Sequence, residues 1–223
     1  MSNTPRKQSA VTRLARDPVS RRRFFALTGG TTAAGALLVA CGDDDEETAT
    51  STTSSSTTDE EMTSQFGEGD LGIVNYALTL EYLEAAFYAD VAKSGLFKGD
   101  DLALIEQIGQ AEQEHVDALS ATAKKLGGPV AEAPKATFPL DDAKSVLELA
   151  ATVENLGAAA YLGAAAMIED PEILAAALSI HSVEGRHAAV LNVLTGQEPT
   201  PDGAFAMSAD METVLAEVQP FIA

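Results

Sequence analysis

Beyond its first 68 residues the chain repeats apolar positions at intervals of three and four, and Gly and Pro break the pattern at only a few places. This predicts four long helices. The first runs from about Asp70 to Lys93 and stops near Gly95. The second starts at Gly99-Asp100-Asp101, expected to cap it, and runs to about Lys125, before Gly127-Gly128-Pro129. The third starts near Asp141 and ends near Glu169-Asp170-Pro171. The fourth starts at that proline, a favoured first-turn residue, and ends near Thr195-Gly196. Each is about 24 residues long, or roughly 36 Å. The link from Gly127 to Leu140 is the longest and holds three prolines. The other links are short, so helices one and two, and helices three and four, are expected to form antiparallel hairpins. A further short helix is expected near Ser208–Val218. The expected fold class is all-α: an antiparallel four-helix bundle of two hairpins with one longer crossover, plus a short carboxy-terminal helix.

The same periodicity selects the inner faces. On the second helix Ile105, Ile108, Leu119 and Ala123 form one series, and Glu112 and His115 fill the gap in it. On the fourth, Leu174, Ala177, Leu191 and Leu194 form the seam, with Glu184 and His187 inside it. An uncompensated charge at a core position costs several kcal/mol. A whole fold is worth only about 5–15 kcal/mol, so something must compensate these groups.

They also belong to a repeat. Glu112 to His115 and Glu184 to His187 are both Glu-x-x-His, which sets each pair on one helix face about one turn apart. Glu81 is followed seven residues later by Tyr88, and Glu154 seven residues later by Tyr161. Glu81 to Glu112 is 31 residues and Glu154 to Glu184 is 30, so the halves superpose with an offset of 72 to 73 residues. This is an internal hairpin duplication with an approximate two-fold axis.

One Glu on each of two helices, with Glu-x-x-His on each of the other two, resembles the ferritin-like superfamily of di-iron and di-manganese carboxylate proteins. The resemblance covers about 128 of the 223 residues. It implies metal ligation by Glu81, Glu112, His115, Glu154, Glu184 and His187, and two divalent ions, Fe or Mn. LEYLEAAFY in the first helix and the Pro220-Phe221 tail look closest to bacterial ferritin-like domains grouped with desiccation-related proteins. Charge arithmetic supports the implied centre: four carboxylates balance two divalent cations when both imidazoles are neutral. Mixed carboxylate and imidazole ligation suits Fe or Mn better than Cu(I) or structural zinc.

Other residues compete for roles. Glu84 shares a face with Glu81, but its repeat counterpart is Gly157, so the duplication favours Glu81 as the ligand. Glu84 is an additional ligand or, in the preferred reading, a hydrated acid or one held behind the ligands. His181 has Gly109 as its counterpart and reads as a satisfied interior histidine, or one behind the ligands. Tyr88 and Tyr161 are candidates to hydrogen-bond to ligands or to relay electrons; simple core packing is the alternative. Glu114 is expected to face solvent.

The amino-terminal third reads as an address and a tether. Arg21-Arg22-Arg23-Phe24-Phe25 precedes a weakly apolar stretch ending Leu38-Val39-Ala40-Cys41-Gly42. That stretch is shorter than the roughly 20 residues of a membrane span, and a basic start before a short apolar region is a signal-peptide pattern. It resembles a twin-arginine export signal joined to a bacterial lipoprotein box, in which Cys41 becomes the lipidated amino terminus. Residues 41–68 are acidic and Ser/Thr-rich, which predicts a disordered spacer. The expected organisation is a signal at 1–40, the tether at 41–68, the bundle at 69–196 and a tail with a short helix at 197–223.

Composition narrows the function. The formal net charge is −20, and removal of residues 1–40, with seven bases and one acid, would leave −26. Such a surface repels phosphates, so no nucleic-acid partner is expected. A single Cys excludes a disulfide framework and a multi-Cys zinc site. The expected partners are the membrane, through the lipid anchor, and a small oxidant, O2 or peroxide. The expected location is the cell envelope, at the outer face of the cytoplasmic membrane. The leading expectation is a dimetal redox protein acting as ferroxidase, oxidase or peroxide remover. The alternative is a non-enzymatic metal-binding lipoprotein in stress protection or envelope scaffolding. Oligomers are compatible with the sequence, but a closed iron-storage cage fits poorly with a lipid tether on every subunit.

Overall fold

A computed structural model of the chain describes residues 65–223. The expected signal, Cys41 and nearly all of the tether lie outside the described residues. The long helices are α1 (Gly69–Lys93), α2 (Gly99–Lys125), α3 (Ala143–Ala164) and α4 (Pro171–Leu194), followed by the short α5 (Met211–Val218). Single 3-10 turns follow α3 (Ala165–Met167) and α5 (Gln219–Phe221). α1 packs chiefly on α2 and α3 on α4, as the short links require, and α1 and α3 also touch. The molecule is thus an all-α bundle of two hairpins with an added carboxy-terminal helix. No strand occurs among the described residues.

Local chemistry sets the helix ends. Asp142 caps α3, its carboxylate accepting from the Lys144 and Ser145 N–H groups at 2.9 and 3.1 Å, and Ser145 closes a reciprocal capping box. Asp170 caps α4 by accepting from Glu172 N–H at 2.7 Å, with Pro171 next in the first turn. α4 ends in a Schellman motif: Gly196 takes φ +81, its N–H reaches Val193 O, and the Gln197 N–H reaches Asn192 O at 2.7 Å.

Three expectations need correction. α3 stops at Ala164 rather than near Glu169. Asp70, in the first turn of α1, accepts hydrogen bonds from the Glu169 and Asp170 N–H groups, both at 2.8 Å, and Pro171 disfavours a helical Asp170. Asp100 and Asp101 do not cap α2: Lys98 holds the cap position without a side-chain bond, and the two acids act on the helix dipole from the first turn. Leu194 is not on the buried seam of α4 but 48% exposed, and Leu174 is only half-buried. The turn that ends α4 lies past the core, and Ile180 and Ala188 supply the buried contacts instead.

The long crossover is tied down at both ends. The buried Asn75 side chain of α1 donates to Phe66 O and Pro129 O at 2.8 and 2.9 Å and accepts from Ala131 N–H at 3.0 Å. At its far end Thr137 N–H donates to Phe221 O and Ala223 N–H to Lys135 O. The Phe138 ring stands edge-on to Phe87 at 5.3 Å. α5 buries Met211, Val214 and Val218 beside Tyr76, Leu80, Leu83 and Ala160, each such burial worth about 1.5–3 kcal/mol. Two apolar clusters occupy the ends of the bundle, one around Phe87 and Ile105, the other around Leu78 and Leu119. The layer between them is acidic.

Candidate metal centre

Five carboxylates point into that middle layer. Glu81, Glu112, Glu154 and Glu184 are fully buried, and Glu84 is 4% exposed. Each sits mid-helix, so the backbone that positions it is hydrogen-bonded on both sides. His115 and His187 reach in from α2 and α4 with side chains 12% and 14% exposed.

The structure brings all six residues that the resemblance implies into two overlapping sets. Glu81, Glu112, His115 and Glu184 present ligand atoms within 4.8 Å of one another, and so do Glu112, Glu154, Glu184 and His187. Glu112 and Glu184 belong to both. His115 Nδ1 lies 2.8 Å from Glu112 Oε2, 3.2 Å from Glu81 Oε2 and 3.3 Å from Glu184 Oε1. His187 Nδ1 lies 2.8 Å from Glu112 Oε1 and 3.2 Å from Glu154 Oε2, but not aligned for a hydrogen bond with either.

The two tyrosines exchange partners across the approximate two-fold axis. Tyr88 of α1 donates to Glu154 Oε1 of α3, and Tyr161 of α3 donates to Glu81 Oε1 of α1, both at 2.5 Å. Burial, then the adjacent carboxylate, pushes both phenols well above their ordinary value of 10, so both remain donors. Each bond fixes one carboxylate oxygen and leaves the other to face a histidine.

Glu84 belongs to neither set. A Cβ on Gly157 would stand 2.8 Å from Glu84 Oε1 and 2.9 Å from Glu184 Oε2, so the missing side chain is the room in which both carboxylates sit. The acid and the hole that admits it are repeat counterparts. His181 also lies outside both sets: its Nδ1 is 3.0 Å from Ala158 O, bridging α4 to α3. Glu114 is exposed and accepts from Gln110. Sequence reasoning did not anticipate the sharing of Glu112 and Glu184 between the sets, because spacing along one helix carries no distance between helices.

Without cations the layer is electrostatically unsettled. Burial raises Glu81 to about 7, against the pull of His115. Burial, then neighbouring carboxylates, drives Glu84 well above the ordinary carboxylate range. Burial also raises Glu184 and Glu154, against the opposing pull of His115 and His187 respectively. Burial works the other way on the imidazoles, but the surrounding carboxylates win, carrying His115 to about 12 and His187 to about 10. Glu112, burial notwithstanding, falls to about 2 because both histidines face it.

A metal would fit the same atoms better. Glu112 Oε1, Glu154 Oε2, both Glu184 oxygens and His187 Nδ1 are buried without a hydrogen-bond partner. Buried polar atoms left this way cost about 1–3 kcal/mol each, and here they converge instead of scattering. Carboxylate oxygens with one imidazole nitrogen per set are a donor chemistry for Fe or Mn.

Fold and site together define a class: a helical bundle whose acidic inner layer could hold metal ions. Residues 69–197 match the family model of the ferritin-like domain, and the chain belongs to that family. No curated protein matches the chain.

Proposed function

We propose that this protein holds a dinuclear Fe or Mn centre and uses it in redox chemistry with O2 or peroxide, as a ferroxidase, oxidase or peroxide remover. The observation that carries the reading is the sharing of Glu112 and Glu184 by two Glu/His sets. One ion would take Glu81 and His115 as its own ligands, the other Glu154 and His187, and the shared glutamates would hold the ions close. When bound, such a pair would supply two electrons, enough with two protons to take O2 to H2O2 or H2O2 to two waters. The chain's own part is to position the ligands, exclude water through the end clusters, and keep Glu81 and Glu154 oriented by Tyr161 and Tyr88.

In this reading the protein works outside the cytoplasm, anchored by lipid on Cys41 at the outer face of the cytoplasmic membrane. The paired arginines support it, because the twin-arginine route carries folded proteins already loaded with cofactor. Loading inside the cell would shield the site from Cu(II) and Zn(II), which win on affinity alone. Among the described residues no helix is long and apolar enough to cross a membrane.

The test is to load purified protein with Fe(II) or Mn(II) and follow O2 or peroxide consumption. Turnover well above that of Glu112→Ala is expected, and equal turnover would refute the redox reading. A second reading is a non-enzymatic metal binder in envelope stress protection, consistent with the helix-one and tail resemblance to desiccation-related domains. The enclosure of both histidines favours it, since a site this closed also serves stability. Stoichiometric metal and a large melting shift on chelation, with no turnover, would select it.

A further inference from the structure

The two ends of the bundle are related by the repeat but are packed differently. The offset is 73 residues from α1 to α3 and 72 from α2 to α4, so Phe87, Val91 and Ile105 correspond to Ala160, Ala164 and Ala177. The three large residues are buried in one continuous apolar cluster at the Tyr88 end. At the Tyr161 end the three alanines leave a cavity of about 30 Å³. It is lined also by Ala77, one turn before Glu81, by Leu119, one turn after His115, and by the Tyr161 ring. The hydroxyl of that ring donates to Glu81. The exposed Ala176 lies among the lining residues, so the cavity approaches the surface on one side, while Tyr161 and its bond to Glu81 separate it from the Glu81–His115 set on the other.

Its walls are nearly all apolar, the hydroxyl-bearing residues among them being Tyr76, Thr122 and Tyr161. The Tyr161 hydroxyl gives its proton to Glu81 and the Thr122 hydroxyl gives its proton to Ala118 O at 2.9 Å, so neither donates into the cavity. A buried water requires two to four polar partners, whereas a dry apolar cavity takes apolar molecules such as xenon. Peroxide, with two O–H donors and acceptor oxygens, would give up most of its hydrogen bonds to water in walls this apolar; dioxygen has none to lose, and the volume suits one small molecule.

We propose that this cavity is a dioxygen docking site serving the Glu81–His115 side of the centre; at the repeat-related position on the Glu154–His187 side Phe87, Val91 and Ile105 are packed instead. The assignment rests on the redox reading above and selects dioxygen over peroxide as the oxidant. Two experiments test it on the full chain. Crystals pressurised with xenon should show anomalous density in this cavity for the wild type and none for Ala177→Ile, which copies Ile105. With Fe(II) content matched, Ala177→Ile should slow oxidation by O2 about ten-fold and leave oxidation by peroxide within about two-fold. Ala164→Val, which copies Val91 and adds less volume, should give a smaller loss in the same direction, and it replaces Ala177→Ile if that variant melts early. Absence of xenon from the wild-type cavity, equal slowing with both oxidants, or no slowing with O2 overturns the docking site while iron oxidation itself stands. Wild-type protein that oxidises Fe(II) with neither oxidant overturns the redox reading, and the dioxygen assignment with it.

Discussion

At the scale of the residue, the centre depends on atoms that need not themselves touch a metal. Tyr88 and Tyr161 each hold one oxygen of a glutamate on the facing hairpin. Replacing either with Phe keeps the ring, including the edge-on contact of Tyr88 with Phe87 at 5.2 Å, but removes the donor. Tyr88→Phe and Tyr161→Phe are each expected to weaken metal binding about 10–100-fold with the fold intact, as read by competitive metal titration. Unchanged affinity would reduce both tyrosines to packing. Both are legible in the sequence as repeat partners, because duplication marks them twice. Glu84 and His181 each occur in only one half, opposite Gly157 and Gly109, and a single copy offers no internal check. That Glu84 is admitted to the layer beside Glu184 depends on the space above Gly157, a fact of the interhelical packing.

At the scale of the element, the helices could be read from periodicity, Gly and Pro, because their ends are written in local chemistry. The end of α3 could not, because the link after it is held by a non-local contact, Asp70 about a hundred residues away accepting from the Glu169 and Asp170 N–H groups. The seat of α5 is another non-local feature. A Cβ on Gly163 would stand 2.0 Å from Ala209 O, and Ala209 N–H donates to Ala159 O at 3.1 Å. The α5 approach therefore depends on glycine at 163. Gly163→Ala is expected to lower the melting temperature by several degrees, a loss of about 1–3 kcal/mol, measured by thermal denaturation, while metal stoichiometry holds. Metal loss with no change in melting would contradict this separation of strap and centre.

At the scale of the whole molecule, the acidic layer ties stability to pH and to metal. Glu81 is raised from 4.5 to about 7, and His115 and His187 from 6.5 to about 12 and about 10. The folded, metal-free chain thus keeps these protons when the unfolded chain has lost them. Their contribution is complete below the ordinary values; it drains between about pH 4.5 and 7 for Glu81, and from about 6.5 upward for the histidines. Glu112, lowered to about 2, acts oppositely and loses its contribution only as pH falls below 4.5. Metal-free protein should therefore melt lower at about pH 8 than at about pH 5. Bound metal displaces these protons, so its stabilising shift should grow over the same interval; calorimetry at both pH values, with and without chelator, checks this. Equal pH slopes in the two states would separate the layer from metal binding.

The account turns on whether that layer holds a pair of ions. The most direct measurement is elemental analysis of the purified chain combined with a structure recorded at the Fe and Mn absorption edges. The expected result is two Fe or Mn ions per chain. One would lie among Glu81, Glu112, His115 and Glu184, the other among Glu112, Glu154, Glu184 and His187. A stoichiometric ion bound elsewhere, or an acidic layer that stays metal-free after loading with either element, would contradict it.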